Sequence, residues 1–227
     1  MIEVVSGHSL NYELGNSQGF DAMYVDMTSL TFVLCDGANS TPWGGHCAEL
    51  CSSQLGKSLS SQEISSPFTL KTIFDDVQNK ISETFSNAAC TAVSLKYSSD
   101  RLWIANCGDS QIEILKEHAL WGWKSNFITI LDQNCDGNPN QLMGRDAYLS
   151  PDIYSQDYSG TTIALLMSDG VHRFTSSKNR IEILKSLKSL KPSSDDLNFI
   201  AQAIADLSLS NGSRDDISIL IIWMGRF

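Results

Sequence analysis

Arg101-Leu102-Trp103-Ile104-Ala105-Asn106-Cys107-Gly108-Asp109-Ser110 is an apolar run closed by a glycine, an aspartate and a serine. Its short length and its bulky apolar residues read as a strand ending in a turn. Two other stretches repeat the design, Leu34-Cys35-Asp36-Gly37 and Leu166-Met167-Ser168-Asp169-Gly170, while Gly212-Ser213-Arg214-Asp215-Asp216 precedes the last apolar run. Taken singly, each is a turn, because Asp and Gly are favoured there for backbone reasons. Taken together, they place carboxylates at strand ends, where side chains are held rigidly and repel one another unless cations neutralise them. Oxygen ligands of this kind suit Mg²⁺ or Mn²⁺ better than zinc or copper.

Working outward, strands are expected at Ala22–Asp26, Leu30–Cys35, Thr91–Tyr97, Arg101–Cys107, Gln111–Leu115, Thr162–Ser168 and Ile217–Met224. Helical spacing runs through Phe68–Phe85 behind Ser66-Pro67, and further helices are expected at Asn179–Leu190, at Asp195–Leu207 and from about Gly45. Strands cluster with helices gathered between them, which predicts an α+β fold of mainly antiparallel sheets with helices packed outside. With 227 residues and 42% hydrophobic content, one domain spanning 1–227 is expected, and 116–140 is its least regular part. A net charge of −10 opposes binding to nucleic acid or to anionic membranes, and no apolar run is long enough to span a bilayer. The opening residues lack a secretory pattern, so a soluble cytoplasmic chain is expected.

The six cysteines form no C-x-x-C pair and read as buried free thiols of a reducing compartment. Cys47 and Cys51, four apart beside His46, offer two thiols and an imidazole with no fourth ligand nearby, so zinc is not expected. Asp132-Gln133-Asn134-Cys135-Asp136-Gly137 resembles the start of a calcium loop, but Met143 stands where the bidentate glutamate belongs, and a turn is expected. Trp121 and Trp123 read either as an exposed aromatic surface or as an anchor for their loop on the core, the anchor being favoured.

The order Cys35-Asp36-Gly37, Gly108-Asp109-Ser110, Ser168-Asp169-Gly170, Gly212-Ser213-Arg214-Asp215-Asp216, with Gln141-Leu142-Met143-Gly144 and Pro151-Asp152-Ile153 between, resembles the type 2C (PPM) family of metal-dependent serine/threonine protein phosphatases. The resemblance covers nearly the whole chain. It implies an α-β-β-α sandwich, Mn²⁺ or Mg²⁺ as cofactor, and a monomer acting on a phosphorylated protein, the target of a serine/threonine kinase. It implies that Asp36 bridges two ions, with the Gly37 carbonyl on one and Asp169 and Asp215 on the other, and that Asp109 shares a third, weaker ion with Asp169. Asp21 would order water at the metals. The region 116–140 corresponds to a shortened flap.

The pattern departs in two places. Phe20 stands where the family has an acid or amide before Asp21, and no arginine precedes Arg101 to grip phosphate. His46 matches the family's candidate general acid, ahead of His8, His118 and His172, but follows a Ser40-Thr41-Pro42-Trp43 insertion, so a structural role stays open. The alternatives are a weak or inactive binding and regulatory module and a small-molecule phosphatase on the same fold.

Overall fold

A computed structural model describes residues 2–11, 20–118, 122–187 and 191–226. The strands form two five-stranded sheets, and every strand pair is antiparallel. The chain divides into two compact units, both discontinuous in sequence.

The first unit holds β1 (Ile2–Asn11), β6 (Gln111–His118), β7 (Gly122–Ile128), β9 (Thr162–Met167) and β10 (Ile217–Arg226), in the order β1-β10-β9-β6-β7. Its helices are α3 (Asp169–His172), α4 (Ser177–Leu184) and α5 (Ser194–Ser210). In α5, Leu197, Ile200, Ala201, Ile204 and Ala205 recur at helical spacing and are buried with Ile163, Leu165, Ile219 and Ile221 of the sheet. Ser193 caps this helix in a reciprocal box with Asp196. Glu113 of β6 and Arg180 of α4 form a buried ion pair at 2.7 Å, and Arg180 also donates to the Thr175 carbonyl.

The second unit holds β2 (Asp21–Asp26), β3 (Thr31–Asp36), β4 (Ala92–Ser98), β5 (Arg101–Cys107) and β8 (Asp152–Asp157) in that spatial order. Its helices are α1 (Gly44–Ser60) and α2 (Pro67–Thr84). Ser66 caps α2 by accepting from the Thr69 amide at 3.2 Å, with Pro67 in the first turn. Leu70, Ile73, Phe74, Val77 and Ile81 of α2 share a core with Val33, Cys35, Trp103 and Ala105 of the sheet.

Three differences from the sequence reading have physical causes. β1, β7 and β8 were not anticipated, because polar residues interrupt their apolar pattern and their neighbours supply the backbone partners. The helix expected at Asn179–Leu190 ends at Leu184 among the described residues, and 188–190 lie outside them. Within 116–140, β6 runs to His118 and pairs antiparallel with β7 in the first unit, residues 119–121 lie outside the described set, and the residues from Ile130 belong to the second unit. Trp123 packs against the first unit's core, and Trp121 lies outside the described residues.

Candidate metal and phosphate site

In the second unit, Asp21 opens β2 and Asp36 closes β3, and the two stand directly opposite each other in the ladder. Directly opposed residues on antiparallel strands have Cβ atoms about 5 Å apart, and like charges there are unfavourable. Both side chains are half-buried.

The turn after Asp36 is fixed by close packing. The Gly37 amide donates to the Phe20 carbonyl at 3.0 Å, and a Cβ at Gly37 would lie 2.5 Å from the Gly44 carbonyl oxygen. Only glycine lets this turn meet the start of α1 so closely. The Asp36 amide donates to Thr91 Oγ1 at 3.1 Å, and the Thr91 amide donates to the Asp36 carbonyl at 2.8 Å. Thr91 Oγ1 in turn shares a 2.6 Å hydrogen bond with Ser110 Oγ. The serine of Gly108-Asp109-Ser110 therefore ties the buried Asp109 segment to the backbone of Asp36 through Thr91. Thr91 was missed as a site residue because its sequence neighbours carry no turn or charge signal.

His46 is exposed in the first turn of α1. The Trp43 ring meets it edge-on at 5.5 Å and stacks on Phe85 at 6.0 Å, so the insertion before the histidine packs on it. Of the other histidines, His118 is exposed at the end of β6, His172 lies in α3, and the side chain of His8 is outside the described set.

In the first unit, β9 is wholly buried and runs into Ser168 and Asp169. The Ser168 amide donates to the Ser218 carbonyl at 3.0 Å, and Ser168 Oγ accepts from the Ser218 amide at 3.0 Å. These bonds latch the end of β9 to the start of β10. A Cβ at Gly170 would run into the Asp216 carbonyl, so the turn carrying Asp169 lies against the Asp215-Asp216 segment. Asp215 is half-buried, and its Oδ1 accepts from the Asp216 amide at 2.9 Å. Asp169 Oδ2 lies 3.3 Å from Arg173 Nη1, one turn along the chain, while its Oδ1 is buried and accepts no hydrogen bond among the described residues. Asp169 and Arg173 stand four apart across α3, the spacing at which side chains on one helix face meet.

Asp132 of the calcium-like stretch accepts from the side-chain amides of Asn140 and Gln141 at 2.9 and 2.7 Å. Asn134 Oδ1 closes the turn by accepting from the amides of Asp136 and Asn138. This is the expected turn.

The second unit carries Asp36, the Gly37 carbonyl and Asp109 on strand ends and turns, and the first unit carries Asp169 and Asp215 in the same way. Oxygen donors of this kind suit hard divalent cations, and a buried carboxylate oxygen without a hydrogen bond, as at Asp169, suits a ligand atom.

No family model matches the chain, and no curated protein matches it in sequence. Solved structures do. It is similar to the catalytic domain of the serine/threonine protein phosphatase PstP in complex with two manganese ions, at TM-score 0.79 and 15% identity over 100% of both chains. The Mycobacterium tuberculosis phosphatase PstP/Ppp gives 0.80 and 14% over 100% of both, and PppA, a regulatory component of the type VI secretion system in Pseudomonas aeruginosa, gives 0.74 and 14% over 96% of both. Two antiparallel sheets with flanking helices, matched over the whole chain, give this protein the fold of the type 2C serine/threonine phosphatases.

Proposed function

We propose that the chain is a metal-dependent protein phosphatase that hydrolyses phosphoserine and phosphothreonine. The observation that carries the reading is the Asp21–Asp36 pair, two carboxylates set opposite each other at the open ends of adjoining strands. Such a pair is unfavourable in itself and becomes useful with a cation present.

Asp36, the Gly37 carbonyl, Asp109, Asp169 and Asp215 are the proposed ligands of Mn²⁺ or Mg²⁺, with two ions tightly held and a third more weakly. When bound, such a pair of ions supplies an activated water and neutralises phosphoryl oxygens for in-line attack, without a phosphoenzyme. The residues of the chain do the positioning. Thr91 and Ser110 hold the Asp36 backbone, Ser168 holds the Asp169 turn, Asp21 orients water, and His46 gives its proton to the departing serine or threonine oxygen. The partner is a phosphorylated protein, the chain acts as a monomer in the cytoplasm, and neither nucleic acid nor membrane is bound. Among the described residues, no helix is long and apolar enough to cross a membrane.

A second reading, a regulatory module with little turnover, is favoured by one observation: Phe20 replaces the polar residue before Asp21, and no arginine precedes Arg101. An assay of a phosphopeptide and of para-nitrophenyl phosphate with Mn²⁺, Mg²⁺ or chelator separates the two. Turnover that appears with metal supports the phosphatase. Full turnover after exhaustive chelation sinks the metal mechanism, and phosphopeptide binding without turnover establishes the regulatory reading.

A further inference from the structure

Cysteines that are far apart in sequence converge in the core of the second unit. Cys35 lies at the end of β3, Cys47 and Cys51 sit one turn apart on the buried face of α1, and Cys90 bridges Gly37 just before β4. All of them are 0% exposed. The Sγ atoms of Cys35, Cys51 and Cys90 lie within 4.8 Å of one another, and Cys47 Sγ is 3.4 Å from Cys90 Sγ.

A cation bound to thiolates at about 2.3 Å holds its sulfurs roughly 3.8 to 4.0 Å apart, in tetrahedral or trigonal geometry. The 4.8 Å limit on the separations of the Cys35, Cys51 and Cys90 sulfurs admits that spacing. A disulfide explains it less well, since bonded sulfurs stand about 2.05 Å apart, and a Cys47–Cys90 bond would leave Cys35 and Cys51 unaccounted for. The sequence hid the cluster because Cys47 and Cys51 were visible as a helical pair, whereas their partners come from β3 and from the segment before β4.

The geometry points to a second, sulfur-based metal site, in which Cys35, Cys51 and Cys90, with Cys47 as the adjoining fourth thiol, bind one soft d¹⁰ cation, Zn²⁺ or Cu⁺. Zn²⁺ takes all four sulfurs, and Cu⁺ is satisfied by three. Each ligating thiol loses its proton to solvent and gains one sulfur–metal bond. Thiolates select these ions over Mn²⁺ and Mg²⁺, so the site is chemically separate from the carboxylates. Its position gives it a task. Cys35 directly precedes Asp36, and the residue after Cys90 is Thr91, which holds the Asp36 backbone. A cation there cross-links β3, α1 and the segment before β4, and stiffens the turn that carries Asp36 and Gly37.

The test is to refold the full reduced chain with one equivalent of Co²⁺, a spectroscopic stand-in for zinc, and to measure zinc and copper in the purified wild-type protein. The expected result is a near-ultraviolet sulfur-to-cobalt band with intense visible bands, retained in Asp36→Asn and in Cys135→Ser and lost in Cys51→Ala. Separate additions of Zn²⁺ and Cu⁺ should each displace the cobalt. Cys47→Ala should weaken Zn²⁺ at least tenfold if zinc is the native ion and leave Cu⁺ unchanged if copper is. Because Cys51→Ala can fail to fold, the wild-type metal content is an independent readout, expected near one ion per chain. Only the pale spectrum of oxygen-bound cobalt, a sulfur band that survives in folded Cys51→Ala, or a Cys47–Cys90 disulfide in the purified chain would overturn the site. No step of this test uses turnover, so its failure leaves the phosphatase reading standing.

Discussion

Replacing Asp36 by asparagine keeps the size of the side chain and the backbone bonds to Thr91, and removes one of two opposed charges. Unit charges about 5 Å apart repel by about 0.8 kcal/mol in water and about 3 kcal/mol at an effective dielectric near 20. Asp21 and Asp36 are both half-buried, and their other contacts share the charge, so a value near the lower end, about 1 kcal/mol, is expected. For a chain of this size that corresponds to a rise in Tm of about 2–4 °C in chelator at low salt. With Mn²⁺ the order should reverse. An ion at one hundred times its Kd stabilises the wild type by about 2.7 kcal/mol, and the variant forfeits most of that gain. Thermal melts of both proteins in chelator and in Mn²⁺ therefore give crossing results. If Asp36→Asn melts lower than wild type in chelator, or gains as much from Mn²⁺ as wild type does, the carboxylate-pair reasoning is wrong.

His46→Ala should slow phosphopeptide hydrolysis by roughly a hundredfold while leaving nitrophenyl phosphate nearly unaffected, because only the alkoxide needs a proton; equal losses would assign His46 to packing with Trp43. Arg173→Ala should tighten Mn²⁺ binding by about two- to fivefold in calorimetry, since the exposed guanidinium competes with the ion for Asp169 and such surface pairs contribute at most about 1 kcal/mol; unchanged or weaker binding would show that the pair positions Asp169. Glu113→Ala should cost about 3–5 kcal/mol in urea unfolding, because it leaves the Arg180 guanidinium buried without its carboxylate; a loss below about 1 kcal/mol would mean that α4 moves to let water in.

The parts of the fold that were legible are those whose burial writes a pattern. Thr162–Met167 and Arg101–Cys107 are nearly continuous apolar runs, and Ser66-Pro67 announces α2 by its cap. Asp152–Asp157, by contrast, is a largely polar edge strand, held through its backbone to β5, and nothing in its side chains betrays it. The candidate ligands were legible because aspartate at a strand end is a local signal. Arg180 with Glu113, and Cys90 with Cys51, depend on elements that meet only in the folded chain. The Thr91–Ser110 bond belongs to the same class.

The pairing of β1 with β10, from Ile2 opposite Arg226 to Asn11 opposite Ile217, has a consequence for the nascent chain. β10 is also the link between β1 and β9, so among the described residues β1 has no neighbour in its sheet until β10 is made. Roughly 200 residues separate them, and at about 5–20 residues per second the ribosome needs about 10–40 s to supply the partner. Throughout that interval the second unit can close on its own residues, while β1 waits as an open strand edge. Chaperones that shield extended segments therefore have a defined target and a defined time window in the synthesis of this protein.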